Sequence, residues 1–260
     1  YFANVTAWSQ KAREYLITAG SPFAMADVAA VAEHHRRGAG LTAAVKQLRK
    51  QGWRVSAEPA AETGTATVRE GPGHGGVWVG ARSHHHQRGL GHLLKPAVKD
   101  DGYMDLSTQW AARTIRASGY DVTIVSVYLA PGIGLAGTNL ITLREVGTYL
   151  KTLGGPFVFL GDFNQEVQEL EALGMEQFLE EEWMSPPGAV PGDHRAIDLA
   201  LFSRSLAKGA RLQWDLAGPW AAPHSGMIVE LDLGVLVQAT RILEAPATVH
   251  VAYGPDREWT

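Results

Sequence analysis

The 260-residue chain contains no cysteine. That excludes disulfide cross-links and thiolate metal sites, and it is compatible with a reducing compartment. Long apolar runs are also missing, so no segment reads as a bilayer-crossing helix. No secretory signal pattern is visible, and because the chain opens at Tyr1 rather than Met it reads as a fragment or a processed form. A basic excess is absent too: 23 Lys and Arg stand against 27 Asp and Glu, for a net charge of -4 with His neutral. This argues against a broad nucleic-acid-coating surface, but leaves room for an enzyme that engages a phosphate locally through a bound cation. There is no internal repeat and no long low-complexity tract. The composition is 45% hydrophobic and 19% charged, which is ordinary for a globular chain long enough to bury a large core.

Periodicity predicts a mixture of strands and helices. Phe2 to Trp8 is short, apolar and β-prone, and Ser9 caps an expected helix through about Ile17 that Gly20-Ser21-Pro22 stops. Asp27 to Ala32 reads as a buried strand ending at Glu33. Leu41, Ala44, Val45 and Leu48 form one helical stripe, closed by Gly52. Strands follow at Trp53–Ala57 and Gly76–Ala81, with Glu58 to Gly75 read as an exposed loop and Ser83 to Asp101 as polar and irregular. Gln109–Arg116 and Asp121–Tyr128 read as a hairpin turning at Ser118-Gly119. Leu140, Leu143, Val146 and Leu150 mark a further helix, ended by Gly154-Gly155-Pro156. Phe157–Leu160 is a wholly apolar strand, Glu166–Leu173 a short acidic helix, and Ala196–Phe202 and Met227–Leu233 the last strands. Such irregular alternation fits an α/β (α+β) arrangement of two mixed sheets packed face to face with helices outside. The segment from Gly234 to Thr260 reads as an extension or linker beyond a domain of residues 1–233.

Chemistry concentrates at a few positions. In Leu160-Gly161-Asp162-Phe163-Asn164 a buried strand ends in Gly and then presents a carboxylate and a carboxamide. Alternation along an extended chain sets Asp162 and Asn164 toward one cavity, with Phe163 turned away; an Asp/Asn turn closing the strand is an equal reading. Glu33, at a strand tip, is a surface acid or a hard-cation ligand. Asp198 lies inside the apolar strand Ile197-Asp198-Leu199-Ala200-Leu201 and needs a partner, because an unpaired buried charge is costly. His224 can be that partner, its imidazole tautomer and basicity set by the carboxylate.

Together and in this order, these residues resemble the endonuclease/exonuclease/phosphatase family with its DNase I-like, four-layer sandwich. The resemblance runs through Asn4-Val5, Asp27 to Glu33, Val125-Ser126-Val127-Tyr128-Leu129-Ala130-Pro131, Gly161 to Asn164, Ile197-Asp198 with Ser203 behind, and His224 ahead of Val229-Glu230-Leu231. It is most similar to the endonuclease domains of non-LTR retrotransposons, an analogy that implies nuclear action. The resemblance implies that Glu33, with Asn4 nearby, holds Mg²⁺, with Mn²⁺ as an alternative. It implies that Asp162 orients or deprotonates the attacking water or protonates the leaving group, and that Asn164 donates to the phosphoryl oxygens. Tyr128 would contact the phosphate or leaving group. His224, held by Asp198, would hydrogen-bond the phosphate or act as a base. The implied substrate is nucleic acid, DNA foremost, with no membrane partner and with room for a further domain or protein partner.

The pattern is broken in three places. Pro223 stands where the family has an Asp before its His, Ala196 replaces an Arg, and Thr6 takes a position where some members carry an acid. Asp215 and Asp193 are the nearest acids that could substitute. Three hypotheses follow: a Mg²⁺-dependent DNA endonuclease, a phosphatase or RNase with the same chemistry, and a former nuclease retained as a binding or scaffold subunit. His34-His35-Arg36-Arg37 is expected at the rim of the site, with Arg82, Arg88 and Lys95 as a weaker basic rim. His84-His85-His86 reads as a solvated loop. Trp78 and Trp110 read as core, Trp183 and Trp220 as loop residues with base stacking as the alternative to packing, and Gly71 to Gly76 as a flexible turn.

Overall fold

Strands that are apolar on both faces need two buried interfaces, and the four layers of this chain provide them. The computed structural model describes residues 1–61, 74–89, 109–179, 181–188, 196–219 and 224–239. In chain order the first half holds β1 (Phe2–Asn4), α1 (Gln10–Ile17), α2 (Pro22–Met25), β2 (Val28–Ala32), α3 (Gly38–Lys50), β3 (Trp53–Glu58), β4 (Val77–Arg82) and β5 (His86–Gly89). The second half holds β6 (Trp110–Ala117), β7 (Tyr120–Tyr128), α4 (Gly137–Leu153), β8 (Phe157–Asp162), α5 (Val167–Ala172), α6 (Met175–Leu179) and β9 (Glu181–Met184). It closes with β10 (Asp198–Ser203), α7 (Arg204–Ala207), β11 (Ala210–Asp215), β12 (Gly226–Leu231) and a 3₁₀ turn at Leu233–Ala239.

Two six-stranded mixed sheets result, ordered β11-β12-β1-β2-β4-β3 and β5-β6-β7-β8-β10-β9. Phe2, Ala30, Val79, Ile115, Ile124, Leu160 and Phe202 meet between them. On the outer face of the first sheet, Leu16, Phe23 and Leu48 cover Val31, Trp53 and Trp78. On the outer face of the second, Leu143, Val146, Leu150 and Leu170 cover Val125, Phe159 and Leu201. Phe159 is fully buried, so its truncation to Ala costs about 3–5 kcal/mol. Two sheets flanked by helices form the DNase I-like sandwich that the sequence pattern implied. No helix among the described residues is long and apolar enough to cross a membrane.

Local chemistry explains most element ends. Ser9 Oγ accepts from Ala12 N at 3.1 Å and starts α1. Pro22, expected only as a stop, also opens a helix: it sits in the first turn of α2, where its missing N–H costs nothing, and Ser21 Oγ accepts from Ala24 N. Gly154 takes a left-handed φ of 61° and closes α4. Three edge strands, β5, β9 and β11, were not expected. Trp183 lies in β9 and stacks edge-on against Phe163 at 5.2 Å, so packing rather than base stacking accounts for it. Leu236 is buried in the core between the sheets, so the packed unit runs past Leu233. Residues 240–260, Gly71, Gly73, Lys95, Asp193, Trp220 and Pro223 lie outside the described residues, as does the Arg88 side chain.

Candidate active site

The parallel pairs β1/β2 and β7/β8 carry their carboxyl ends to one rim, and the antiparallel strands β10 and β12 begin there. Asn4, Tyr128 and Asp162 are the last residues of β1, β7 and β8, Asp198 is the first of β10, and Glu33 follows β2 directly. Asp162 stands opposite Tyr128 on one side and Asp198 on the other. His224 lies two residues ahead of β12. Side chains far apart in sequence therefore converge because strand ends align.

Gly161 sets how closely β7 and β8 approach. A Cβ there would lie 2.7 Å from the Val127 carbonyl oxygen, closer than any side chain tolerates. Asp162 then turns out of the strand. Its Oδ1 accepts from the Asn164 backbone N–H at 3.0 Å, and Asn164 adopts a φ of 49°. The two readings of this segment are thus both realised: a turn closes the strand, and the turn aims the carboxylate at the rim. The route differs from the expected one. Asn164 is not extended, and its Nδ2 donates to Leu129 O at 2.8 Å. Phe163 points away into the outer core, as alternation implied.

Asn4 is central to the network. Its Nδ2 donates to Asp162 Oδ2 at 2.8 Å and lies 3.2 Å from His224 Nε2, while its Oδ1 accepts from Thr6 N. Its donor side therefore faces the acids. Asp198 Oδ2 lies 3.0 Å from His224 Nδ1, which supplies the partner that a buried acid in an apolar strand requires. The Tyr128 phenol lies close enough to Glu33 to interact with its carboxylate. Four of the five non-glycine residues with positive φ among those described, Thr6, Glu33, His35 and Asn164, lie at this rim. Such conformations cost on the order of 1 kcal/mol each and persist where the surroundings impose them.

The electrostatics follow from crowding acids in a half-dry pocket. Burial and the neighbouring Asp198 charge push the Asp162 carboxyl up to about 8, with His224 opposing. Burial pushes Asp198 up, against its His224 hydrogen bond. For His224, burial alone would lower the pKa; the Asp198 hydrogen bond and charge outweigh it and raise it to about 9. Burial also acts upward on Glu33, but hydrogen bonds from His35, Tyr128 and Asn4 hold it below the usual carboxylate range. Burial and the Glu33 charge raise the Tyr128 phenol.

A divalent cation fits this set. Glu33, Asp162 and His224 each offer a ligand atom, all within 4.8 Å of one another. Asp198 Oδ1 is buried without a hydrogen-bond partner among the described residues. Three acids meet one imidazole, an excess of negative charge that raises Asp162 and that a cation would offset.

No family model matches the chain, and no curated protein matches it in sequence. Solved structures do. The endonuclease domain of TRAS1, a telomere-specific non-LTR retrotransposon, aligns with a TM-score of 0.57 at 16% identity, covering 89% of this chain and 97% of that one. The chain has the endonuclease/exonuclease/phosphatase fold. The 3'-5' exonuclease NExo from Neisseria meningitidis aligns with a TM-score of 0.56 at 17% identity, over 89% and 99% of the two chains. The AP endonuclease LMAP from Leishmania major aligns with a TM-score of 0.59 at 13% identity, over 89% and 87%.

Several residues stand elsewhere on this fold than the sequence suggested. His34 is buried, not a rim group: its Nδ1 accepts from Arg36 N at 3.0 Å and its Nε2 lies 3.0 Å from Glu58 O. Arg36 binds the Trp8 carbonyl. Arg82 clamps the carbonyls of Ala24, Ala26 and Gln51 and lies over Trp53, at the end of the first sheet opposite Glu33. Asp215 accepts from the hydroxyls of Tyr1 and Tyr15, both at 2.6 Å, so it does not support His224. His35 was grouped with the rim and proves specific: its Nε2 is 3.7 Å from Glu33 Oε1. Its place directly after Glu33 was the available signal.

Proposed function

We propose that the chain is a divalent-metal-dependent phosphodiester hydrolase, acting on DNA as an endonuclease. The convergence of Glu33, Asp162 and His224 is the observation that supports this most. Glu33, with Asp162 alongside, would hold Mg²⁺ or Mn²⁺; Asn4, expected as a ligand, turns its Nδ2 to the acids and its Oδ1 to Thr6 N, so it would position Asp162 instead. When bound, the cation supplies charge neutralisation for the scissile phosphate and its leaving oxygen.

The chain's own groups account for the remaining chemistry. Asp162, which the cation would keep ionised, is suited to orient the attacking water and accept its proton. Asn4 holds that carboxylate through Oδ2, and the Asn164 backbone N–H holds it through Oδ1. His224 keeps its Nδ1 proton on Asp198, which leaves Nε2 to face the substrate; the raised proton affinity makes it a donor to a phosphoryl oxygen. Asn164 spends one Nδ2 hydrogen on Leu129 O and has the other for the phosphate. Tyr128, beside Glu33 and opposite Asp162, would contact the phosphate or the leaving group.

DNA as substrate draws support from structural neighbours described as a retrotransposon endonuclease domain, an AP endonuclease, and a 3' phosphatase bound to product DNA hairpin. The test is nicking of supercoiled plasmid by pure protein with Mg²⁺, with Mn²⁺ and with EDTA, alongside a panel of phosphate monoesters and RNA. Metal-dependent nicking that Asp162→Ala abolishes is expected. Absence of metal-dependent hydrolysis of every substrate refutes the proposal, and turnover of monoesters or RNA alone reassigns the substrate.

A further inference from the structure

Far from the rim, three arginines meet without an acid. Arg113 projects from β6 into the gap between the sheets, on the face shared by Ala111 and Ile115. Only 8% of it is exposed. Its Nη1 donates to Gln87 Oε1 at 3.0 Å and its Nη2 to Ser56 Oγ at 3.1 Å. Both acceptors are neutral, so they hold the guanidinium without cancelling its charge. Its Nε–H is buried with no partner among the described residues. No carboxylate pairs with Arg113, Arg49 or Arg54 among the described residues.

A buried, unpaired cation costs several kcal/mol, and a second and third cation nearby add to that. Here Arg49, from the last turn of α3, and Arg54, from β3, line the same cleft as Arg113. Burial together with these two neighbours depresses the Arg113 pKa to about 10. The cleft holds about 450 Å³, with Trp53, Val55 and Ser83 completing its walls. That space suits an oxyanion, and a fork of N–H donors matches the oxygens of a phosphate. The cleft is distinct from the hydrolytic site. Arg113 pairs with Ile124, four residues before Tyr128 on β7, a separation of about 13 Å along the strand before any lateral displacement.

We propose that the cleft formed by Arg49, Arg54 and Arg113 is a second, non-catalytic binding site for a phosphate group. The phosphate is that of a free small molecule or of a nucleic-acid backbone held away from the hydrolysed bond. The site stands whether or not the chain cleaves DNA, because none of its residues serves the hydrolytic rim.

The test compares the wild-type chain with the double variant R49Q/R54Q, both in EDTA. Both substituted side chains are exposed, so folding is preserved, and basal hydrolysis is expected to be unchanged. Inorganic phosphate is titrated by thermal shift against sodium chloride of equal ionic strength. Wild type should show a phosphate-specific rise in midpoint, and the double variant should lose it, with affinity reduced at least about ten-fold. Anisotropy with a short labelled duplex then separates the two sources. A backbone ligand predicts weaker duplex binding in the variant and a salt slope shallower by about two. A free phosphate ligand predicts unchanged duplex binding with the phosphate shift still lost. No phosphate-specific shift in wild type, or an equal shift in the variant, overturns the proposal.

Discussion

Replacing Asp198 by Asn removes one charge and leaves the shape of the site. The Asn Oδ1 can still accept from His224 Nδ1, which sits 3.0 Å from the carboxylate. The side chains of His224 and Asp198 are only 9% and 5% exposed, so solvent screens the pair weakly. Asp198 foremost, with the Asp162 and Glu33 charges adding, lifts His224 to about 9 from an ordinary 6.5 against its burial. The difference, 9 − 6.5 = 2.5, is worth about 3 kcal/mol at ~1.4 kcal/mol for each pH unit. A raised folded-state value means that this stabilisation is fully present below pH 6.5 and is lost as pH rises through 9. With the charge gone, burial is opposed only by the remaining hydrogen bond and the Asp162 and Glu33 charges, so His224 should titrate below its wild-type value. An NMR titration of the imidazole in metal-free protein reads this directly, and plasmid nicking on the same samples reads the chemistry. The expected result is a transition near 9 in wild type, a lower one in Asp198→Asn, and a loss of kcat/KM of about 10²–10⁴. A His224 transition that does not move would refute the reading that Asp198 sets its proton affinity.

Three further outcomes are expected. Mg²⁺ at about 100 times its dissociation constant should stabilise the chain by about 2.7 kcal/mol; calorimetry should show this lost in Glu33→Gln, and an equal gain in the variant would remove Glu33 as ligand. Burial lowers His34 to about 4. Because the unfolded state then binds more protons between pH 6.5 and 4, stability present above pH 6.5 should fall by about 3 kcal/mol as pH drops through that window, with urea midpoints of His34→Gln showing a shallower slope. Gly161→Ala should cost about 3 kcal/mol by overpacking against Val127, and an unchanged melting temperature would contradict the close approach of β7 and β8.

The inner strands and the edge strand β3 were legible, and the other three edges were not. Phe157–Leu160, Asp27–Ala32 and the β6–β7 hairpin are apolar runs bounded by Gly, Pro or polar turns, so their burial is written in composition. The edge strands β5, β9 and β11 are not apolar throughout. β11, Ala210–Asp215, buries only Leu212 and Asp215, and β5 is His86-Gln87-Arg88-Gly89. Such segments become strands because a neighbour offers hydrogen bonds, which their own residues do not announce. The same holds for polar side chains. Arg82, His34 and Asp215 all read as rim or site candidates, yet each satisfies a buried carbonyl or hydroxyl elsewhere. A charged residue near an active-site residue in sequence can point to either end of a strand, and only its hydrogen-bond partners tell which.

Local order along the chain was enough to imply two packed mixed sheets and to draw attention to Asp162, Asn164 and Asp198, because residue type, strand periodicity and abrupt strand ends are properties of short segments; Asn4, Glu33, Tyr128 and His224 took their weight from the family resemblance of the ordered set. Which of these groups touch was a matter of register. Asp162 faces Tyr128 and Asp198 because β8 pairs with β7 and β10 at those positions, and a slip of one residue would turn each side chain to the other face of its sheet. The proximity of Tyr128 to Glu33, the engagement of Asn4 with Asp162, and the arginine cleft on the far side all depend on contacts between segments separated by dozens of residues. Packing energy selects those contacts, and no single segment contains it.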